Sequence, residues 1–267
     1  SRGVADSGII PPSVLFKMAR ANGTSLEFDR LCREKAIETF SVFYRDNKDF
    51  ILSINLDSSV LSAGSGSNHL INLVERNEIE PSSVIIEILE SEIKGIDLLY
   101  EFVERYKKYK FLIAIDDIGA GFSNFERVIT LRPDVIKIDR FLIDGIGDNF
   151  YKQEIVKSIV SMTHGIGSVT IAEGIETEDD AVACLEFGVD YLQGFLFSRP
   201  VGIENIRQVA SGEIELVADK FRDKMLSRIK AKRIKSIKYE LMIEHIISQL
   251  AGLDQSLFDK QLGMIVL

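Results

Sequence analysis

The sequence predicts an α/β fold, a modified (β/α)8 TIM-like barrel followed by a long C-terminal helix, on three observations. Six short apolar runs of strand length occur between residues 50 and 200. Segments with the periodicity of amphipathic helices lie between them, and the alternation repeats about every 20 to 35 residues, as in parallel βα units. Each apolar run also ends on polar residues, and the active sites of such barrels lie at the carboxyl ends of the strands.

The six predicted strands are short, mainly apolar runs, of which residues 111–115 form an unbroken one bounded by turn residues, as is typical of strands buried on both faces. In chain order they span residues 50–54, 84–88, 111–115, 135–138, 169–172 and 191–197. The predicted helices follow the 3.6-residue apolar period. They span residues 26–43, 69–77, 93–109, 141–164 and 178–187.

The number of predicted strands falls short of a complete barrel, which uses about 250 residues for eight βα units. Residues 1–12 are rich in Gly, Ser and Pro and contain no predicted strand. We therefore expect the first strands to lie upstream of Ser1, or the sheet to be an incomplete barrel. A doubly wound open sheet is the alternative, but it concentrates ligand contacts at one switch point rather than at every strand end.

Two segments are predicted, an N-terminally incomplete barrel domain at residues 1–210 and a helical extension or linker at residues 211–267. The second contains a long helical pattern at about residues 213–250, with six Lys or Arg residues between 228 and 238. Such a helix can pack against the barrel or lead to another domain. A signalling or dimerisation helix is the alternative, and attraction to a membrane surface is a third.

Two adjacent aspartates, Asp116 and Asp117, follow the apolar run 111–115 and precede a loop with Gly119 and Gly121. Successive strand residues point to opposite faces, so both carboxylates reach one site only where the strand ends and the backbone turns, which glycine permits. Two like charges at the end of an apolar strand are costly unless a cation or solvent compensates them. The pair predicts a divalent-metal site, and a helix N-cap is the alternative role for Asp117.

Groups able to bind metal or phosphate also occur at the other strand ends. They are Asn55, Glu87, Glu90, Lys137, Asp139, Glu173, Glu176 and Gln193. Lys137 lies inside an apolar strand, where a structural pair with an acid of a neighbouring strand is the alternative to a functional role. Glu90 and Glu176 can equally be solvated residues at helix starts, where the helix dipole favours acids.

The composition and the placement of His and Cys exclude several other classes of function. The net charge of −9 argues against general binding of nucleic acid through its phosphates. His69, His164 and His245 lie outside the strand ends and form no zinc pattern with Cys32 and Cys184. No apolar run approaches the roughly 20 residues of a membrane span and no signal peptide is visible, so we expect a cytoplasmic protein with reduced thiols, unless a membrane tether lies outside this chain.

Six ordered motifs carry a resemblance to a known family. They are Ser-Ile-Asn-Leu-Asp at 53–57, Glu-Ile-Leu-Glu-Ser at 87–91, Asp-Asp-Ile-Gly-Ala-Gly-Phe-Ser at 116–123, Lys-Ile-Asp at 137–139, Ala-Glu-Gly-Ile-Glu-Thr at 172–177 and Gln-Gly-Phe-Leu-Phe-Ser-Arg-Pro at 193–200. Over roughly residues 9–201 the chain resembles the EAL-domain family of cyclic di-GMP phosphodiesterases. The resemblance implies a modified (β/α)8 barrel that hydrolyses cyclic di-GMP to linear pGpG with two Mg²⁺ or Mn²⁺ ions.

The resemblance also implies a role for each site residue. Asn55, Glu87, Asp116 and Asp117 would ligate the metals, with Glu173 close to the second metal or its water. Lys137 would orient the attacking water or stabilise the transition state, and Glu90 would hold the loop after Asp117. The substrate and the metal-bound waters would contact Asp139, Glu176 and Gln193. Hard divalent ions prefer such oxygen ligands, and two of them supply both positive charge and a deprotonated water for attack on an anionic phosphodiester.

The sequence departs from the family pattern in two places. The Glu-Ala-Leu motif, whose Glu ligates a metal in active members, does not occur in residues 1–16, and we expect it upstream of Ser1 in a sequence that begins inside the domain. The loop after Asp117 carries Ile118, Ala120 and Phe122 where active relatives commonly have Phe, Thr and Tyr. Loss of the Thr hydroxyl removes a hydrogen bond that can hold this loop, which bears on catalytic rate and on coupling within a dimer.

Two hypotheses compete with active hydrolysis. The first is a receptor that binds cyclic di-GMP without turnover and signals through its C-terminal helix. The second is a different metal-dependent barrel enzyme, of the enolase-like or aldolase-like kind, which the ordered motifs disfavour. A homodimer and a regulatory domain on the same polypeptide are the expected partners, and nucleic acid is not.

Overall fold

The computed structural model describes residues 3–5, 8–10, 12–56, 68–89, 96–120, 125–202 and 211–233. The strands are β1 (Gly3–Ala5), β2 (Gly8–Ile10), β3 (Leu52–Leu56), β4 (Val84–Leu89), β5 (Leu112–Ile118), β6 (Val135–Ile138), β7 (Val169–Ala172) and β8 (Tyr191–Leu192). The α-helices are α1 (Pro12–Ala21), α2 (Ser25–Tyr44), α3 (His69–Arg76), α4 (Ile96–Lys108), α5 (Phe125–Leu131), α6 (Arg140–Ile143), α7 (Phe150–Gly165), α8 (Glu178–Glu186) and α9 (Ser211–Arg233). Short 3-10 helices span Pro81–Ser83 and Ile146–Asp148.

Strands β3 to β8 form one six-stranded sheet whose order follows the chain. The pairs β3–β4, β4–β5, β6–β7 and β7–β8 are parallel, and helices alternate with the strands. The predicted α/β fold with six parallel strands is therefore confirmed. Among the described residues the sheet is open, with β3 and β8 at its edges.

The chain divides into two compact units, residues 1–116 with 124–133, and residues 117–123 with 134–267. In the first unit, α2 buries a stripe in which Ile37, Phe40 and Tyr44 recur every three or four residues. The Tyr44 hydroxyl and the Ser83 hydroxyl lie 2.9 Å apart and share a hydrogen bond. Burial of each such large apolar side chain stabilises the fold by about 1.5–3 kcal/mol.

In the second unit, β6 is buried along its whole length, as its apolar composition predicts. Thr170 of β7 is fully buried, and its amide and its hydroxyl each donate to Asp190 Oδ2 at 2.7 Å. The Asp190 amide in turn donates to the Thr170 hydroxyl oxygen at 3.1 Å. These reciprocal bonds join β7 to the residue that directly precedes β8.

The absence of a strand from residues 1–12 was a wrong prediction, because β1 and β2 form a short antiparallel pair there. In the register of this pair Gly3 lies opposite Ile10 and Ala5 lies opposite Gly8. Each strand has only three residues, and glycine has low strand propensity. Mutual backbone pairing, which side-chain patterning does not show, stabilises these strands.

The predicted helix at residues 141–164 is also wrong as one element, because the chain turns between α6 and α7. Gly145 adopts a left-handed φ of 69°, and the buried carboxylate of Asp180 accepts hydrogen bonds from the amides of Gly145 and Gly147, each at 3.3 Å. The side chain of Asn149 then caps α7 by accepting from the amide of Lys152 at 3.2 Å. An acid from a different helix thus stabilises the break, so local periodicity could not predict it.

The last predicted strand, residues 191–197, is shorter than expected, since β8 ends at Leu192. Beyond it the backbone turns at Gly194, and the amide of Leu196 donates to the carbonyl of Ile175 at 3.0 Å. This segment is therefore held by the loop after β7 rather than by a strand ladder.

The predicted C-terminal helix is present as α9, which packs against α8 in the second unit. Val217 is fully buried, whereas its neighbour Leu216 is 47% exposed. Lys220 pairs with Glu178, and Lys224 pairs with Glu186 at 3.3 Å. Residues 234–250 of the predicted helix lie outside the described residues. Among the helices of the described part of the chain, none combines the length and the apolarity needed to cross a membrane.

The thiol of Cys184 on α8 is fully buried. Burial, and to a smaller extent the charge of Asp180, together raise its pKa from an ordinary 9.0 to about 12. Because the thiolate is the reactive form, we expect Cys184 to resist maleimide labelling until the protein unfolds. Fast labelling of native protein at Cys184, identified by peptide mass, would contradict this.

The same shift predicts a dependence of stability on alkaline pH. The unfolded thiol loses its proton above about pH 9 while the folded thiol keeps it up to about pH 12. The contribution of this thiol to the free energy of unfolding is therefore fully present below pH 9. It declines by about 1.4 kcal/mol per pH unit up to pH 12. The free energy of unfolding, measured by urea denaturation and plotted against pH, should fall more steeply for the wild type than for Cys184→Ala across this window. Parallel plots would contradict the assignment.

Candidate functional site

Asp116 and Asp117 lie at the carboxyl end of β5, on the strand that passes from the first unit into the second. Asp116 is 7% exposed, and Asp117 has a left-handed backbone with φ of 61°. This conformation interrupts the strict alternation of strand side chains, which is how consecutive carboxylates can approach one position. Asp117 belongs to the strand and not to a helix start, so the alternative role as an N-cap does not hold.

The turn after Asp117 depends on Gly119, whose φ is 105°. The amide of Ala120 donates to the Asp117 carbonyl at 3.2 Å. A Cβ on Gly119 would lie 2.3 Å from Cδ1 of Leu142, so this position needs glycine for both conformation and space. Gly121, also predicted to permit the turn, lies outside the described residues.

Lys137 and Glu173 form an ion pair between β6 and the segment after β7. Lys137 Nζ lies 2.5 Å from Glu173 Oε1, and the two side chains are only 4% and 18% exposed. The amide of Glu173 donates to the carbonyl of Ile138 at 3.0 Å, which ties the start of this segment to β6. The low exposure strengthens the electrostatic attraction relative to water, so the ammonium holds Glu173 in a defined position.

Three carboxylates come close enough to share a cation. One oxygen each from Asp116, Asp117 and Glu173 lies within 4.8 Å of the other two. Three converging carboxylate oxygens suit a hard divalent ion such as Mg²⁺ or Mn²⁺, which takes oxygen ligands. The donor chemistry of these residues therefore fits the metal that the sequence implies.

Asn55 and Glu87 lie opposite each other in the register of β3 and β4. Glu87 is 6% exposed, and its Oε1 accepts a hydrogen bond of 2.5 Å from the Ser53 hydroxyl. Ser53 and Asn55 are two residues apart on the same strand and so face the same side. The first unit thus places an amide, a hydroxyl and a buried carboxylate together at the end of two neighbouring strands.

The remaining predicted residues have more varied surroundings. Asp139 caps α6, because its Oδ1 accepts from the amide of Phe141 at 2.8 Å. Glu176 pairs with Arg140 at 2.8 Å between Oε1 and Nη1. The Oε1 atom of Gln193 is buried, and no donor from the described part of the chain satisfies it. Glu90 lies outside the described residues.

A model of the EAL domain matches residues 3–200 of the chain. The chain belongs to the EAL domain family. The family that the ordered motifs predicted is therefore confirmed, and the match includes each of the described strands β1 to β8.

Curated and solved relatives agree with the assignment. Over 196 residues the domain is 32% identical to the probable cyclic di-GMP phosphodiesterase PdeA of Escherichia coli K12, which covers 73% of this chain and 27% of the relative. The PaMucR phosphodiesterase in its c-di-GMP complex superposes with a TM-score of 0.70 at 25% identity, covering 77% of this chain and 84% of that one. The manganese/cy-diGMP complex of Klebsiella pneumoniae BlrP1 gives a TM-score of 0.63 at 29% identity, covering 69% and 48%. The chain spans about a quarter of the length of PdeA.

Two of the three histidines of the chain, His69 and His164, each lie close to a carboxylate. His69 Nε2 lies 3.0 Å from Glu34 Oε1, and His164 Nε2 lies 2.9 Å from Asp190 Oδ2. That the histidines are not metal ligands stays a prediction. His245 lies outside the described residues.

One residue near the site was missed by the sequence analysis. Arg140 follows Asp139 directly and pairs with Glu176 of the segment after β7. Its position next to the Lys-Ile-Asp motif was the one sequence feature that pointed to it. The helix dipole does not favour a basic residue at a helix start, so electrostatic patterning gave no further signal.

Proposed function

We propose that this EAL domain hydrolyses cyclic di-GMP to linear pGpG by metal-assisted attack of water on a phosphodiester. The observation that carries the proposal is the cluster of Asp116, Asp117 and Glu173, with the Lys137 ammonium against Glu173. The similarity to PdeA, a probable cyclic di-GMP phosphodiesterase, and to the PaMucR phosphodiesterase in its c-di-GMP complex supports this substrate.

Two Mg²⁺ or Mn²⁺ ions would be held by Asn55, Glu87, Asp116 and Asp117, the ligands that the resemblance implies, with Glu173 close to the second metal or its water. When bound, such ions neutralise phosphate charge and lower the pKa of water. The carboxylate and amide oxygens of these residues match that requirement.

Lys137 and Glu173 have complementary roles in this proposal. Glu173 is the more accessible of the two, so its carboxylate can accept a proton from the attacking water. Lys137 orients that carboxylate and places a positive charge beside it, where negative charge develops on the phosphate. The ion pair is already formed without substrate, which reduces the reorganisation needed for the reaction.

Gln193, Asp139 and Glu176 are proposed to serve the substrate side of the site. The buried Gln193 Oε1 is an acceptor that can receive a hydrogen bond from an N–H or O–H group of the ligand. Asp139 acts through its cap on α6, and Glu176 through its pair with Arg140. Glu90 is proposed only from the resemblance, as support for the loop after Asp117.

A receptor that binds cyclic di-GMP without turnover is the second candidate. The observation that favours it is the loop after Asp117, where Ala120 lacks the hydroxyl that active relatives commonly carry. Without this hydroxyl the loop would hold its conformation less firmly. Such a change lowers the rate of hydrolysis more than it lowers the affinity for cyclic di-GMP, because the reaction depends more strongly on exact positions.

Incubation of the full polypeptide with cyclic di-GMP and Mg²⁺ or Mn²⁺ tests the proposal. We expect pGpG to accumulate, as measured by chromatography. Its accumulation should stop when EDTA removes the metal. Calorimetric binding of cyclic di-GMP without any pGpG would overturn hydrolysis and leave the receptor. Absence of both binding and product would overturn both candidates.

The other partners and boundaries stay predictions. They are a homodimer, a regulatory domain on the same polypeptide, a cytoplasmic location, and a boundary between a barrel domain at 1–210 and an extension at 211–267. Sedimentation velocity tests the first, and a single monomeric species at micromolar concentration would contradict it.

A further inference from the structure

Arg140 reaches across the segment that carries Glu173. It is the first residue of α6, and its Nη1 lies 2.8 Å from Glu176 Oε1. The two side chains are 52% and 39% exposed. An isolated pair this exposed adds little to the stability of the fold, because solvent screens both charges.

The stem of Arg140 covers the backbone at Gly174. Gly174 has a left-handed φ of 69°, and a Cβ there would lie 2.5 Å from Cγ and 2.6 Å from Cβ of Arg140. The aliphatic stem therefore packs against Gly174 while the guanidinium holds Glu176. One side chain thus contacts both ends of the stretch 174–176.

The backbone of the same stretch is tied on either side of Gly174. The amide of Glu173 donates to the carbonyl of Ile138 at 3.0 Å, and the amide of Ile175 donates to the carbonyl of Gln193 at 3.1 Å. Within the described part of the chain, neither Gly174 nor Glu176 makes a backbone–backbone hydrogen bond. Arg140 contacts these two residues, so it completes the set of ties that fix the segment after β7.

We propose that Arg140 is a positioning residue, which holds segment 174–176 so that the Glu173 carboxylate stays against Lys137. The inference rests on the proposed function for its effect on rate. Displacement of a reacting group by about 1 Å can cost as much as about 100-fold in rate. A pair of little value for stability can therefore matter for turnover.

Arg140→Ala tests this inference, with Arg140→Lys as the conservative variant and Arg222→Ala as the matched control. Arg222 pairs with Asp219 at 2.6 Å, and these side chains are 51% and 64% exposed, on α9. We expect Arg140→Ala to lower kcat by about tenfold with KM within about twofold. Arg140→Lys should recover most of the loss, and Arg222→Ala should match the wild type.

Hydrogen exchange of the metal-free protein provides a readout that does not depend on activity. We expect the amides of residues 174–176 to exchange faster in Arg140→Ala than in the wild type or in Arg222→Ala, with the rest of the second unit unchanged. Unchanged exchange at 174–176 would overturn the inference. A raised KM with kcat intact would also overturn it, since that pattern indicates substrate binding by Arg140. If no variant hydrolyses cyclic di-GMP, the proposed function fails while the exchange result still decides the positioning role.

Discussion

Replacement of Lys137 by Met is expected to lower the rate of cyclic di-GMP hydrolysis by at least about 100-fold. Methionine keeps an unbranched side chain in a position that is 3% exposed but removes the ammonium 2.5 Å from Glu173. The carboxylate then loses the cation that orients it, and the phosphate loses a nearby positive charge. Formation of pGpG at saturating Mg²⁺ measures the effect.

Lys157→Met is the matched control, because Lys157 pairs with Glu154 at 2.8 Å on α7 with both side chains largely exposed. It should leave the rate unchanged. Loss of one partner of a largely buried pair also destabilises the fold, here by about 2–4 kcal/mol, so thermal unfolding is followed in parallel. A folded Lys137→Met protein with activity within fivefold of the wild type would show that Lys137 has only a structural role.

Replacement of Gly194 by Ala is expected to destabilise the protein by about 3 kcal/mol. A Cβ at this position would lie 2.0 Å from the carbonyl oxygen and 2.3 Å from the amide nitrogen of Ile175. Both obstacles are backbone atoms, so no change of rotamer relieves the clash. The segments after β7 and β8 must separate, and the hydrogen bonds of Ile175 with Gln193 and Leu196 are lost.

Gly165→Ala provides the control for this prediction, because nothing lies within 4 Å of a Cβ there. Gly165 ends α7, and alanine in a helix is up to about 1 kcal/mol more favourable than glycine. Thermal unfolding should show a melting temperature about 6–12 °C lower for Gly194→Ala and little change for Gly165→Ala. Equal melting temperatures for the two variants would show that the backbones of residues 175 and 194 are not in close contact.

Much of the fold follows from local sequence, as two strands show most clearly. The bounds of β6 and β7 agree with the predicted runs 135–138 and 169–172, because a strand buried on both faces needs a mainly apolar segment and ends where that segment ends. The break between α6 and α7 did not follow, because the acceptor that stabilises it is Asp180 on α8. Features that one element imposes on another leave little trace in local patterning.

The same division holds for the candidate site. The sequence by itself determined the alternation of strands and helices, the family, and the kinds of side chain at the strand ends, since these depend on the order of residues along the chain. Only the tertiary structure decided that Asp117 takes a left-handed backbone, that Lys137 pairs with Glu173, that Asp139 caps α6 and that Arg140 holds Glu176. Most of these contacts join separate elements or depend on the turn between them. Their distances follow from strand register and turn conformation, which residue type and periodicity do not specify.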